Sequence, residues 1–246
     1  MLFPYSAELF AAAPINIHTI LLNERLSTTK KLGYNRVLDF ILQDVQDNII
    51  HTYAPLPRQS LTFQYDTNSC LFPVNEWAWK AHGNRDDFEL ISSDPIDIVS
   101  ARIYTRKTVP LITSTDQLNG KSIGHLIGHL GVKLLKSQKG ITFSAVTNGE
   151  SMIKMIAKGR IDAILGFHPD TLISMHRLGF NELHYSEKLT LFEVPIHMVC
   201  HKTPHNQSFI QTINLRIKEA HKKNLLQSML GNEAQIAPFE KIHSTN

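Results

Sequence analysis

Two arginines frame the stretch from Asn84 to Lys107. Arg85 opens it, and Arg102 starts the β-rich run around Ile103 and Tyr104, beyond Pro95. A guanidinium held beside a strand presents a planar fork that donates two parallel hydrogen bonds to a carboxylate, so each is a candidate grip for a small anion. The plainer alternative is a surface arginine or, for Arg85, a bracing ion pair with Asp86 or Asp87. Asp162 is tempting as an acid. At the head of an apolar run its expected use is structural, accepting backbone N–H groups. His125 and His129, and His197 and His201, are each four residues apart, but neither pair has the companion ligands of a zinc site. No nucleophile elbow, phosphate loop or dinucleotide glycine pattern is present. With no acid or base to place, neither an enzyme nor a cofactor is expected.

The chain that must position these residues has 246 of them, enough for one large domain or two smaller lobes. Hydrophobic content of 42% and charged content of 19% are those of an ordinary globular protein. Net charge is +3 with scattered Lys and Arg, which gives nucleic-acid binding no support. No apolar run is long enough to span a bilayer. Residues 1–13, apolar and ending in Ala11, Ala12 and Ala13, look like a signal-peptide remnant and imply a periplasmic, extracytoplasmic location. Cys70 and Cys200 could pair in an oxidising compartment, but each sits in an apolar strand-like run, and buried free thiols are the expectation.

Strand and helix alternate twice. Strands are expected at Ile15–Leu22, Ile49–Tyr53 and Cys70–Val74, with helices at Tyr34–Gln46 and Arg58–Tyr65. Asn75 to Gly83, with Trp77 and Trp79, reads as an irregular loop that either caps a pocket or, as large aromatics mostly do, plugs the surface. A second series has strands at Ser122–Ile127, Ile141–Val146 and Ile161–Leu165, and helices near Val132, at Ser151–Ala157 and at Pro169–Leu178. Leu191 to Cys200 is a long apolar strand bent at Pro195, and Gln207 to Lys222 is an amphipathic helix. This pattern predicts an α/β fold with mostly parallel sheets in two lobes. Lobe 1 takes 14–108 plus 196–246, and lobe 2 takes 109–195. Hinge crossings are expected near Thr105–Pro110 and Val194–Ile196. In open α/β sheets ligands gather at the carboxyl ends of the strands, so the cleft should be lined by the loops there.

Arg85 followed by Ser92-Ser93-Asp94-Pro95-Ile96, then DQLNGKSIG from Asp116 and MIAKGRIDAIL from Met155, resembles the type 2 periplasmic solute-binding proteins, in particular the polar amino-acid group served by ABC transporters. The resemblance runs from about Ile15 to Leu230. It implies a two-lobed fold with two hinge-crossing segments and central mixed sheets. It assigns the carboxylate grip to Arg85 and backbone amides to Gly128, His129 and Leu130. Asn75 is implied as a first-lobe polar contact and Arg58 as part of a wall; Arg102, where the family has no such residue, remains a second, weaker candidate. The family's ammonium-pairing Asp is replaced by Phe167, and His129 stands where a small hydroxyl residue is common. A carboxylate or other small anion without an ammonium group therefore fits better than an ordinary α-amino acid, with Phe167 as an apolar or stacking wall. The expected role is a monomeric solute-binding protein that captures such an anion by hinge closure. Its partner would be an ABC transporter permease. The alternatives are a ligand-sensing domain for a membrane receptor and a dehydratase-like enzyme.

Overall fold

The computed structural model describes residues 13–84 and 87–236. In the first half the apolar runs become β1 (Ile15–Ile20), β2 (Ile49–Ala54) and β3 (Ser69–Val74), all parallel, in the order β2-β1-β3. Val37, Leu38 and Ile41 share one face of α1 (Gly33–Ile41), as their spacing requires, and are buried. α2 (Leu56–Tyr65) and α3 (Glu76–Ala81) follow, then the short strand β4 (Leu90–Ser92).

The second half repeats the plan. β5 (Asp97–Arg106) leads in, and β6 (Ser122–Leu126), β7 (Thr142–Val146) and β8 (Ala163–His168) are parallel to one another. Between and after them run α4 (Gly131–Leu134), α5 (Gly149–Ala157) and α6 (Asp170–Arg177). β9 (Leu183–His201) is 19 residues long and ties the halves together. It pairs antiparallel with β5 through Ile196, then with β3 from His197 and with β4. The described strands form one nine-stranded mixed sheet, β2-β1-β3-β9-β5-β8-β6-β7 with β4 against β9. α7 (Pro204–Lys222) and α8 (Leu225–Leu230) return to the first half, where Phe209, Ile213 and Ile217 pack against Val37, Ile41 and Met198.

Three expectations are corrected. The crossing between halves does not lie at Thr105–Pro110. β5 is bonded to β8 only from Ser100 to Thr105, while Asp97 is bonded to Arg25 and Tyr34 and Val99 packs in the first-half core, so the chain crosses near Val99–Ser100. From Ser100 on, β5 thus packs with the second half, and it ends at Arg106, ahead of Val109-Pro110. The supposed irregular loop after Val74 contains α3. Asn75 caps it by accepting from Ala78 N at 3.1 Å, and Glu76 pairs with Lys80 one turn on at 2.9 Å. An Asn followed by Glu was the available signal. Finally, Cys70 and Cys200 are not free. They lie directly opposite on β3 and β9 and form a disulfide. Their separation of 130 residues hid a pairing that only strand register creates.

Candidate functional site

The carboxyl ends of the two sets of parallel strands face each other across a cleft of about 510 Å³. That size suits a small molecule. The first half supplies Ile20 to Leu22 after β1, Pro55 to Pro57 after β2, and Pro73, Val74 and Asn75 with Ala78, Trp79 and His82 of the α3 segment. The second supplies Leu126 to Leu130, Thr147, Phe167 and Asp170; the crossing strands add Val99, Phe192, Val194 and Ile196. Most of this lining is aliphatic or aromatic.

On the second-half wall, Gly128 turns the chain at φ +78° and sends His129 inward. The imidazole is 4% exposed and stacks on Phe167, with centroids 4.1 Å apart and planes 16° from parallel. Its Nδ1 accepts from the backbone N–H of Gly131 at 3.1 Å, so the neutral ring carries its proton on Nε2. Gly131 permits this approach: a Cβ there would meet Nδ1 and Leu165 Cδ1 at 3.1 Å. Among the described residues, no group accepts from Nε2–H. Burial, then His125 and His82, push the His129 pKa down to about 3, so the ring is uncharged at neutral pH. Trp79 lines the opposite wall, packed edge-on to Phe63, and its Nε1–H is also buried without an acceptor among the described residues.

At the floor lies a charge cluster. Arg25, 2% exposed, donates through Nε to Asp170 at 2.7 Å and through Nη1 to Asp97. Tyr34 donates to the other Asp97 oxygen at 2.9 Å and sits under the guanidinium, whose Cζ is 4.3 Å from the ring centre. Burial alone would lower the Arg25 pKa, but Asp170, Tyr34 and Asp97 together raise it well above its ordinary value. Burial raises the Asp97 pKa against the opposing pull of Arg25. Arg25 and Asp170 come from opposite sides of the cleft. Beside them Glu24 accepts from Ser174 at 2.9 Å, and Lys133 reaches the carbonyl of Ala81 at 2.9 Å on the other flank.

The structure brings Asn75, Gly128, His129, Leu130 and Phe167 onto this one lining and leaves two arginines off it. Arg58 is exposed on α2. Arg102 is buried on β5, where it donates to Ser100 Oγ at 3.0 Å and to the carbonyl of Glu187 at 3.1 Å and lies over the Tyr185 ring. Its guanidinium is held by the Ser100 hydroxyl and the Glu187 carbonyl, so it is unsuited to a cleft anion. Arg85 lies outside the described residues. The amide site expected at Gly128 to Leu130 is also partly used: His129 N donates to Leu126 O, and Gly131 N to the His129 ring. Asn75 is occupied as the α3 cap and through Nδ2 to Pro195 O at 3.0 Å.

Elsewhere, Asp162 accepts from Ser122 N at 2.8 Å and Oγ at 2.7 Å, which lowers its pKa and makes it a tie between strands. Trp77 is half exposed, its ring 5.9 Å from Phe192. Sequence reasoning missed Arg25, Tyr34, Asp97, Asp170 and Phe192. Arg25 stood in a polar stretch read as loop, and nothing local marks its partners, 72 and 145 residues away.

No model of a protein family matches the chain, and no curated protein matches it. Solved structures do. The GluR0 ligand-binding core in complex with L-glutamate aligns with TM-score 0.69 at 12% identity, over 91% of this chain and 98% of that one. The GluR0 core from Nostoc punctiforme with L-glutamate gives 0.68 at 15% identity, over 89% and 98%. The substrate-binding protein of an amino acid ABC transporter gives 0.65 at 12%, over 90% and 98%. The chain has the two-lobed fold of type 2 periplasmic binding proteins.

Proposed function

We propose that this chain is an extracytoplasmic solute-binding protein that closes its two lobes over a small molecule and presents it to an ABC transporter permease. The observation that carries the reading is the cleft itself. It opens at the strand ends of both halves, and the halves are joined by two adjacent strands, β5 near Val99–Ser100 and β9 near Glu193–Val194. Two narrow crossings beside a cleft are the geometry of hinge closure. The Cys70–Cys200 disulfide supports an oxidising compartment. No helix among the described residues is long and apolar enough to cross a membrane. The likeness to two GluR0 ligand-binding cores favours a second reading, in which the same closure signals to a membrane receptor.

The expectation of an anionic ligand rests on Arg85, which lies outside the described residues, because the described lining residues carry no uncommitted positive charge. The test is a thermal-shift and calorimetric screen of amino acids, organic acids and uncharged aromatic compounds, with small-angle scattering to follow contraction. Stoichiometric binding with a smaller radius of gyration, and the compound recovered unchanged, is expected. Turnover would favour an enzyme, and failure of every compound to bind or contract the protein would refute the reading. Arg85→Ala should abolish carboxylate binding while leaving the fold intact, if the ligand is an anion.

A further inference from the structure

Resting on the reading of the chain as a solute-binding protein, we infer the class of molecule its cleft takes. We propose that it is an uncharged, planar ring compound bearing a hydrogen-bond acceptor. Its ring lies against the Phe167 and Phe192 side of the cleft, and its acceptor takes the Nε2–H of His129.

Charge is the first argument. Among the described residues of the lining, Arg25 is the only lysine or arginine, and both edges of its fork are held by Asp97 and Asp170. An entering carboxylate would have to compete with two carboxylates already in place. The cluster of one guanidinium and two carboxylates carries a formal excess of one negative charge, which repels a further anion. Among the described residues of the lining Asp170 is the only carboxylate, and the same guanidinium holds it, so a ligand ammonium finds no uncommitted partner there either. An ion placed in this lining without a partner would lose its hydration uncompensated.

The second argument is the pair of donors. A buried N–H without an acceptor is rare in a folded protein, because leaving it unpaired costs free energy. Here two such groups, His129 Nε2–H and Trp79 Nε1–H, belong to residues on opposite walls of one cleft. Both are uncharged donors, and neither accepts in its present state. They select for a carbonyl, ether or ring nitrogen. Nδ1 of His129 is anchored by Gly131, so the ring cannot flip to offer an acceptor instead without breaking that bond.

The third is shape. His129 and Phe167 already form one stack, and Phe192 meets Phe167 edge-on at 6.3 Å. A flat ring set against such a corner gains area and quadrupole contact that an aliphatic amino acid does not.

The experiment is a ligand-observed NMR titration of the full chain with probes that share one ring: benzamide, benzoate, benzylamine and benzene, with L-glutamate alongside. Benzamide should bind tightest, at least about tenfold tighter than benzoate or benzylamine. His129→Phe keeps the stack and removes the donor. It should weaken benzamide about five- to tenfold, the worth of a neutral hydrogen bond, and leave benzene unchanged. Should that variant not fold, the wild-type order of benzamide over benzene tests the donor by itself. Tighter binding of benzoate or glutamate, lost in Arg85→Ala, would overturn the inference while leaving the solute-binding reading in place. Tighter benzylamine would overturn it in the same way. Equal weakening of benzene and benzamide by His129→Phe would also overturn it. If no probe binds and scattering shows no contraction with any compound, both readings fall.

Discussion

Arg25 and His129 border the same cleft and are almost equally buried, yet the protein treats them in opposite ways. Arg25 is charged, and its fork is met by Asp97 and Asp170 with Tyr34 beneath it. His129 is neutral, and one of its two ring nitrogens has no hydrogen-bond partner among the described residues. Fully compensated polarity in a core is a structural device, because any missing partner leaves a buried charge exposed to an apolar medium. Uncompensated, uncharged polarity on a cavity wall is affordable structurally and useful only to something that enters. Arg25 therefore reads as part of the frame joining the lobes, and His129 as part of the surface that meets a ligand.

The sharpest way to break this contrast is to remove the guanidinium. Arg25→Ala should cost about 3–5 kcal/mol in urea unfolding, the range for stripping one partner from a buried ion cluster. A loss under about 1 kcal/mol would mean the cluster is solvated and the contrast false. Next in size is the frame's covalent tie. Replacing Cys70 and Cys200 together by Ala should cost about 2–4 kcal/mol, as for a bridge closing a long loop. Because it lies between β3 and β9 and not in the ion cluster, its effect should add to that of Arg25→Ala within about 0.5 kcal/mol.

Acid should act through the histidine. The folded state holds the His129 pKa at about 3 against an ordinary 6.5, so the unfolded chain binds the proton first. Its stabilising effect is complete above pH 6.5 and is lost as pH falls toward 3, at no more than about 1.4 kcal/mol per pH unit. His51, pushed down to about 4 by burial, contributes in the same direction. The raised pKa values of Asp97 and Glu24 act oppositely, so the measurement is the difference in melting temperature against pH between wild type and His129→Phe. The variant should show the flatter acid limb. Smallest of all is the effect of His129→Phe at pH 8 without ligand, expected within about 1 kcal/mol, since the unpaired donor leaves along with the Gly131 bond. A larger loss would move His129 into the frame with Arg25.

Much of the architecture was legible before the fold was known. Val37, Leu38 and Ile41 announce α1, and Met152, Ile153 and Ile156 announce α5, because a helix returns side chains to one face every three or four residues. The α3 helix was lost to its two tryptophans, which look like a loop plug; its Asn75 cap was the better guide. The first crossing was misplaced because the proline at Val109-Pro110 is a stronger local mark than a point in the middle of a continuous strand. Asn75, Gly128, His129, Leu130 and Phe167 could be gathered from their places after strands, which is a topological property of α/β sheets.

The sequence by itself determined most of the strands and helices, α3 excepted, and where their carboxyl ends lie, since those follow from periodicity within a few residues. Only the tertiary structure decided the electrical character of the cleft. Whether Arg25 is a free cation or a neutralised one depends on Asp97 and Asp170, 72 and 145 residues away. Whether His129 is a donor or an acceptor depends on one backbone N–H. Charge and hydrogen bonding act over a few ångströms of space, and the distance along the chain carries no record of them until the sheet has formed.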